Sequence, residues 1–147
     1  MKTVLLVEDS ANDIELALEA LSEEAFAEDI IVVKDGQQAL DFLHCVGSHE
    51  ERDPGNPILV VLDLKLPRID GLEVLRRVKS DPRLKDIPIV VLTSSGEESD
   101  LQLSYSLGVN AYVVKPVGFE EYSQALRTLG SFWTAINQPP PEKNSFS

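Results

Sequence analysis

Cysteine occurs once in the 147 residues, at Cys45, so no disulfide can form within the chain. A reducing, cytoplasmic setting is the expectation. Histidine occurs twice, at His44 and His49, too few for a zinc site without carboxylate help. Basic residues are scarce: 13 Lys and Arg stand against 25 Asp and Glu, a formal net charge of -12. Nucleic-acid backbones and anionic membranes are met by clustered Lys and Arg, so neither is an expected partner. A long apolar run is missing too. The opening segment MKTVLLVEDS turns acidic directly after Val7, unlike a signal peptide or a membrane span. There is no internal repeat and no glycine-rich phosphate loop. An acidic chain can still gather carboxylates around a cation.

What is present is alternation. The hydrophobic fraction of 43% is ordinary for one globular domain with a core. Short β-branched runs at residues 3–7, 30–33, 58–62, 87–92 and 111–114 read as strands. They are continuously apolar, as strands covered on both faces are. Amphipathic stretches lie between them. Ile14, Ala17, Leu18 and Leu21 form the first stripe, behind Ser10 and Asp13, which resemble an acidic capping box. Ala39, Leu40, Leu43 and Val46 form the second, with Cys45 expected as a small buried hydrophobe. Val74, Leu75 and Val78 form the third. Residues 97–107 are a weaker helix, with Leu101, Leu103, Tyr105 and Leu107 spread around it. Phe119, Tyr122, Leu126, Leu129, Trp133 and Ile136 form a longer final stripe.

Strand and helix alternating five times predict a (βα)5 fold, one doubly wound parallel sheet with helices on both faces. The domain is expected over residues 1–137, with a proline-rich, disordered tail over 138–147. Residues 47–57 read as a polar, mobile surface loop. The basic residues Arg76, Arg77, Lys79, Arg83 and Lys85 read as a solvated face.

Ligands of such sheets bind at the carboxyl ends of the strands. The first run ends in Glu8-Asp9 and the third in Asp63. Three acids at one sheet end repel each other, and Mg²⁺ relieves that repulsion. Asp9 and Asp63 are the expected direct ligands, with Glu8 acting through water. The fourth run ends in Thr93-Ser94-Ser95 and the fifth in Lys115-Pro116. A hydroxyl and an ammonium there can meet phosphoryl oxygens. Taken singly, each has a plainer reading, as solvated acids, a helix cap or a surface lysine.

Taken in order, these features resemble the receiver domains of two-component response regulators. The matching segments are VLLVEDS, VVLDLKLPRIDGLEVL, IPIVVLTSS and AYVVKP. The resemblance runs from Thr3 to about Ile136 and implies a flavodoxin-like receiver fold. It also implies that Asp63 accepts a phosphoryl group from a sensor histidine kinase. Glu8 and Asp9 are then the acidic pair, Thr93 the switch hydroxyl, Lys115 the active-site lysine and Tyr112 the switch aromatic. The backbone carbonyl of Lys65 becomes a further Mg²⁺ ligand. The implied protein is a phosphoacceptor switch and not an enzyme in its own right.

No DNA-binding or catalytic module follows the last stripe, so output is expected through contact. The 47–57 loop and the Phe132-Trp133 pair resemble stand-alone regulators paired with phytochrome-type histidine kinases. That resemblance implies a bacterial phytochrome as kinase and a homodimer through the fourth helix, fifth strand and fifth helix. Three rivals are weighed. An aspartyl phosphatase commonly carries a second acid two residues past its nucleophile, where Lys65 stands. A flavin module needs a phosphate-cradling loop, where Glu8-Asp9 would repel phosphate. An inert receiver would serve only as an interaction domain.

Overall fold

A computed structural model describes residues 3–23 and 29–141. Five strands alternate with five helices: β1 Thr3–Val7, α1 Ala11–Glu23, β2 Asp29–Val33, α2 Gly36–His44, β3 Leu59–Leu62, α3 Gly71–Ser80, β4 Ile89–Thr93, α4 Glu98–Ser106, β5 Ala111–Val114 and α5 Phe119–Ser131. A 3-10 turn, Gly47–His49, follows α2, and a π-helical turn, Phe132–Ile136, extends α5. The strands form one parallel sheet in the order β2-β1-β3-β4-β5. This is the flavodoxin-like doubly wound order, and its switch point lies between β1 and β3.

Period-two alternation divides the core into two layers. Leu5, Val7, Val60, Leu62, Ile89 and Val91 face α2 and α3. Val4, Leu6, Leu59, Val61, Val90 and Leu92 face α1 and α5. Both faces are covered, which is why β1, β3 and β4 are buried at every position. The edge strands β2 and β5 are only partly buried.

Several expectations shift. In α1 the buried face is Ala17, Ala20 and Leu21, with Leu16 beside them, while Ile14 and Leu18 are half-buried. The two alanines let α1 approach α5 closely. Val46 lies beyond α2 and is exposed. Cys45 is the left-handed cap of α2, with φ 56°, and is only half-buried. Phe119 and Ile136 are exposed ends of the final stripe, whereas Tyr122 and Leu126 are buried.

The 47–57 loop is pinned. Arg52 Nε donates to the Phe42 carbonyl at 2.6 Å and an Nη to that of Leu43 at 3.5 Å. These bonds satisfy carbonyls at the end of α2. The same guanidinium bonds the carbonyls of Asp53 and Gly55 and lies 4.1 Å from the Phe42 ring centre.

The basic cluster is largely engaged. Arg76 and Arg77 both pair with Glu73, and Lys79 donates to the carbonyls of Lys85 and Ile87 and to Asn110 Oδ1. Residues 142–147 of the expected tail lie outside the described residues. No helix among the described residues is long and apolar enough to cross a membrane.

Candidate functional site

The site is assembled where buried strands stop. β1 and β3 pair in register up to Val7 and Leu62, so Glu8 and Asp63 emerge side by side at the switch point. Asp63 donates its amide to the Val7 carbonyl at 3.1 Å, and Glu8 donates its own to the Val33 carbonyl at 3.0 Å. Both side chains are nearly buried, while Asp9 is exposed at the rim. Gly71 closes the turn after Asp63. Its amide donates to the Leu64 carbonyl at 2.9 Å, and a Cβ there would collide with the Asp63 carbonyl and Leu64. Asp70 caps α3 through the Glu73 amide at 3.0 Å.

Lys115 joins the strand ends. Its Nζ lies 2.6 Å from Glu8 Oε1, 2.8 Å from Asp13 Oδ2 and 3.0 Å from Asp63 Oδ2. Its amide donates to the Thr93 carbonyl at 2.7 Å, which fixes the start of the reaching side chain. Burial alone would lower the lysine's pKa. The hydrogen bonds to Asp13 and Glu8 and the charges of Asp63 and Glu8 outweigh it, so the ammonium is held above the usual lysine range. Burial raises the pKa of Glu8, only partly offset by the Lys115 bond, and the charge of Asp63 adds to the rise. The other Glu8 oxygen accepts from the amides of Asp9, at 3.0 Å, and Ser10, at 3.2 Å.

One oxygen from each of Glu8, Asp9 and Asp63 lies within 4.8 Å of the others. Hard carboxylate oxygens converging at the end of a sheet fit a divalent cation. Lys115 is the one cation in contact with three of these carboxylates, Glu8, Asp13 and Asp63, and Asp9 adds a fourth acid at the rim, so the site retains negative charge for such a cation to balance.

Thr93 is fully buried at the end of β4, and its Oγ1 accepts the Ser95 amide at 3.4 Å. Tyr112 is half-buried and donates its hydroxyl to the Ser95 carbonyl at 2.8 Å. It is therefore already engaged with the β4–α4 loop in this conformation. Ser95 Oγ donates to Asp100 Oδ2 at 2.6 Å, and Asp100 pairs with Lys65 at 3.8 Å. Lys65 donates its amide to Asp63 Oδ1 at 3.3 Å, while its side chain is exposed.

Glu8, Asp63 and Lys115 are thus in direct contact, with Asp9 and Thr93 bordering them. Sequence reasoning missed Asp13, which it read only as a helix-capping acid. No signal in the sequence marks it, because its partner Lys115 stands 102 positions away.

The family model described as the response regulator receiver domain matches residues 4–127. The chain belongs to the response regulator receiver family. The receiver is 41% identical over 132 residues to the response regulator Rcp1 of Synechocystis, covering 90% of this chain and 88% of Rcp1. The crystal structure of Mn²⁺-bound Rcp1 superposes with a TM-score of 0.91 at 39% identity, over 96% of this chain and 100% of that one. The phosphorylated cyanobacterial phytochrome response regulator RcpA gives 0.90 at 38%, over 95% and 99%. The bacteriophytochrome response regulator RtBRR is 53% identical with a TM-score of 0.76, over 96% and 85%. The receiver is accordingly a two-component signalling protein rather than a metabolic enzyme.

Proposed function

We propose that this receiver accepts a phosphoryl group on Asp63 from a sensor histidine kinase, with Mg²⁺ beside it. The observation that carries this reading is the contact of Lys115 with Asp63 at 3.0 Å, inside the convergence of Glu8, Asp9 and Asp63. Asp9, Asp63 and the Lys65 carbonyl would hold the cation directly, and Glu8 would hold it through water. When bound, the cation neutralises charge on the transferring phosphoryl group.

The chain's own groups do the rest. An Asp63 carboxylate oxygen attacks the phosphorus of a phosphohistidine. The new P–O bond forms as the P–N bond breaks, and its electron pair returns to the imidazole. Lys115 faces the phosphoryl oxygens as a compact cation. Thr93 supplies a hydroxyl at the end of β4, next to the loop on which Tyr112 rests. Drawing Thr93 toward the phosphoryl group would displace the Ser95 amide and bias the β4–α4 loop between two arrangements.

Output then passes through α4, β5 and α5. β5 is an edge strand, and Leu103, Tyr105, Val114 and Phe119 are exposed around it. An unpaired edge flanked by apolar side chains suits self-association into a homodimer. The likeness to the phytochrome response regulators RcpA and RtBRR supports a bacterial phytochrome as the kinase, and the lone Cys45 fits a cytoplasmic setting.

The test is transfer of labelled phosphoryl from an autophosphorylated phytochrome-type histidine kinase, with light scattering before and after. Label on the wild type, none on Asp63→Asn and a doubled mass support the reading. A wild type that stays unlabelled while the kinase loses no label contradicts the pairing with that kinase. A mass that stays monomeric contradicts the dimer.

A further inference from the structure

Three carboxylates hold the Lys115 ammonium, and the chemistry proposed above uses only two of them. Asp63 takes the phosphoryl group, and Glu8 stands beside the cation. Asp13 does neither. We propose that Asp13 is a positioning residue for Lys115, holding its ammonium over Asp63 while the other two carboxylates change partners. The inference rests on the phosphoacceptor reading of Asp63 and adds what keeps the lysine in place.

An ammonium has three N–H donors. Here each has a carboxylate within reach: Glu8 at 2.6 Å, Asp13 at 2.8 Å and Asp63 at 3.0 Å. Formation of the acyl phosphate removes the carboxylate charge of Asp63, and a cation among Glu8, Asp9 and Asp63 would compete with the lysine for two of the same carboxylates. Of the three carboxylates on the ammonium, only Asp13 neither takes the phosphoryl group nor stands beside the cation. The lysine stem is long and rotatable, so an anchor that persists through the reaction keeps its charge in place.

Asp13 is itself held. Its amide donates to Ser10 Oγ at 3.3 Å, and its carbonyl accepts the hydroxyl of Tyr122 at 3.4 Å. Tyr122 is a buried residue of α5, so the first turn of α1 is fixed from both sides. The cap of α1 comes from Ser10, which leaves the Asp13 carboxylate to the lysine. Its side chain is 27% exposed, against 3% for Glu8 and 8% for Asp63. It therefore holds the ammonium from the outer, solvent side of the site. A support of this kind fixes a reacting group within a fraction of an ångström.

The experiment measures phosphorylation rates with acetyl phosphate and Mg²⁺ for wild type, Asp13→Asn and Asp13→Glu, and for Lys115→Met with and without Asp13→Asn. Asp13→Asn should slow the reaction about tenfold, less than the roughly hundredfold cost of a full 1 Å misplacement of a reacting group, because Glu8 still holds the ammonium. Asp13→Glu should restore part of the rate. On the Lys115→Met background Asp13→Asn should have almost no effect, because there is no ammonium left to position. An equal effect on both backgrounds would overturn the proposal, since it would mark a general charge or helix effect. No effect on the wild-type background, with Asp63-dependent phosphorylation intact, would overturn it and leave the phosphoacceptor reading standing. Failure of the wild type itself to become phosphorylated would overturn both. A measurement independent of variant folding is the through-hydrogen-bond NMR coupling between Lys115 Nζ and Asp13 Cγ in the wild-type beryllofluoride–Mg²⁺ complex. Its presence supports the anchor, and its absence from an otherwise resolved ammonium signal overturns it.

Discussion

At the scale of single residues, the site depends on close backbone approach as much as on charge. Gly71 allows the turn after β3 to fold back onto Asp63, because any side chain there would strike the Asp63 carbonyl. Gly71→Ala is therefore expected to destabilise the fold by about 1–3 kcal/mol, the usual cost of forcing atoms into a packed site. It should also displace the Asp63 carboxylate. Urea unfolding and the rate of phosphorylation check the two effects, and both should fall. Glu8, Asp9, Asp63 and Lys115 were legible in the sequence because each stands where an apolar run stops. Strand ends then mark the ligand side of the sheet. Asp13 was not legible. Its partner is 102 positions away, and capping explained it locally. The hydrogen bond from Tyr112 to the Ser95 carbonyl was equally hidden, because a carbonyl leaves no mark in the residue pattern.

At the scale of elements, the strands and helices follow from periodicity, and so does the facing of α2 and α3, whereas that of α1 follows only in part. In α1 the expected stripe is half met: Ala17 and Leu21 are buried, but Ala20, a small residue and so a weak signal, completes the contact face, and Ile14 and Leu18 stand half outside it. The 47–57 loop looked mobile on composition, yet Arg52 ties it to the end of α2. Arg52→Ala should cost about 1–2 kcal/mol, from lost carbonyl bonds and the contact with Phe42. Amide exchange within the loop should rise while the sheet amides stay protected. Equal exchange in both proteins would refute the anchoring. In α3, Glu73 receives hydrogen bonds from Arg76 and Arg77, which hold its pKa at about 2 against an ordinary 4.5. A depressed carboxyl contributes stability above its unfolded pKa and loses it as pH falls toward the folded one. Glu73→Gln should flatten the dependence of Tm on pH between about 4.5 and 2. The difference should be small because the group is exposed, and smaller still at high salt. Thermal melts across that range decide it.

At the scale of the whole molecule, parallel strands and right-handed crossovers bring residues from distant parts of the chain to one sheet end. The doubly wound class was readable from the alternation of runs. The strand order emerges only in three dimensions, and with it the placing of β5 at an edge beside exposed Leu103, Tyr105 and Phe119. On the function proposed above, a phosphoryl group on Asp63 would reach that surface through the β4–α4 loop, where Ser95 bonds both Tyr112 and Asp100. The whole account turns on Asp63 as phosphoacceptor. Its most direct test is intact mass after incubation with acetyl phosphate, with and without Mg²⁺, for wild type and Asp63→Asn. The account predicts a single phosphoryl adduct on the wild type, dependent on Mg²⁺ and absent from the variant. An adduct that survives in Asp63→Asn, or a folded wild type that takes up neither phosphoryl nor beryllofluoride, would contradict it.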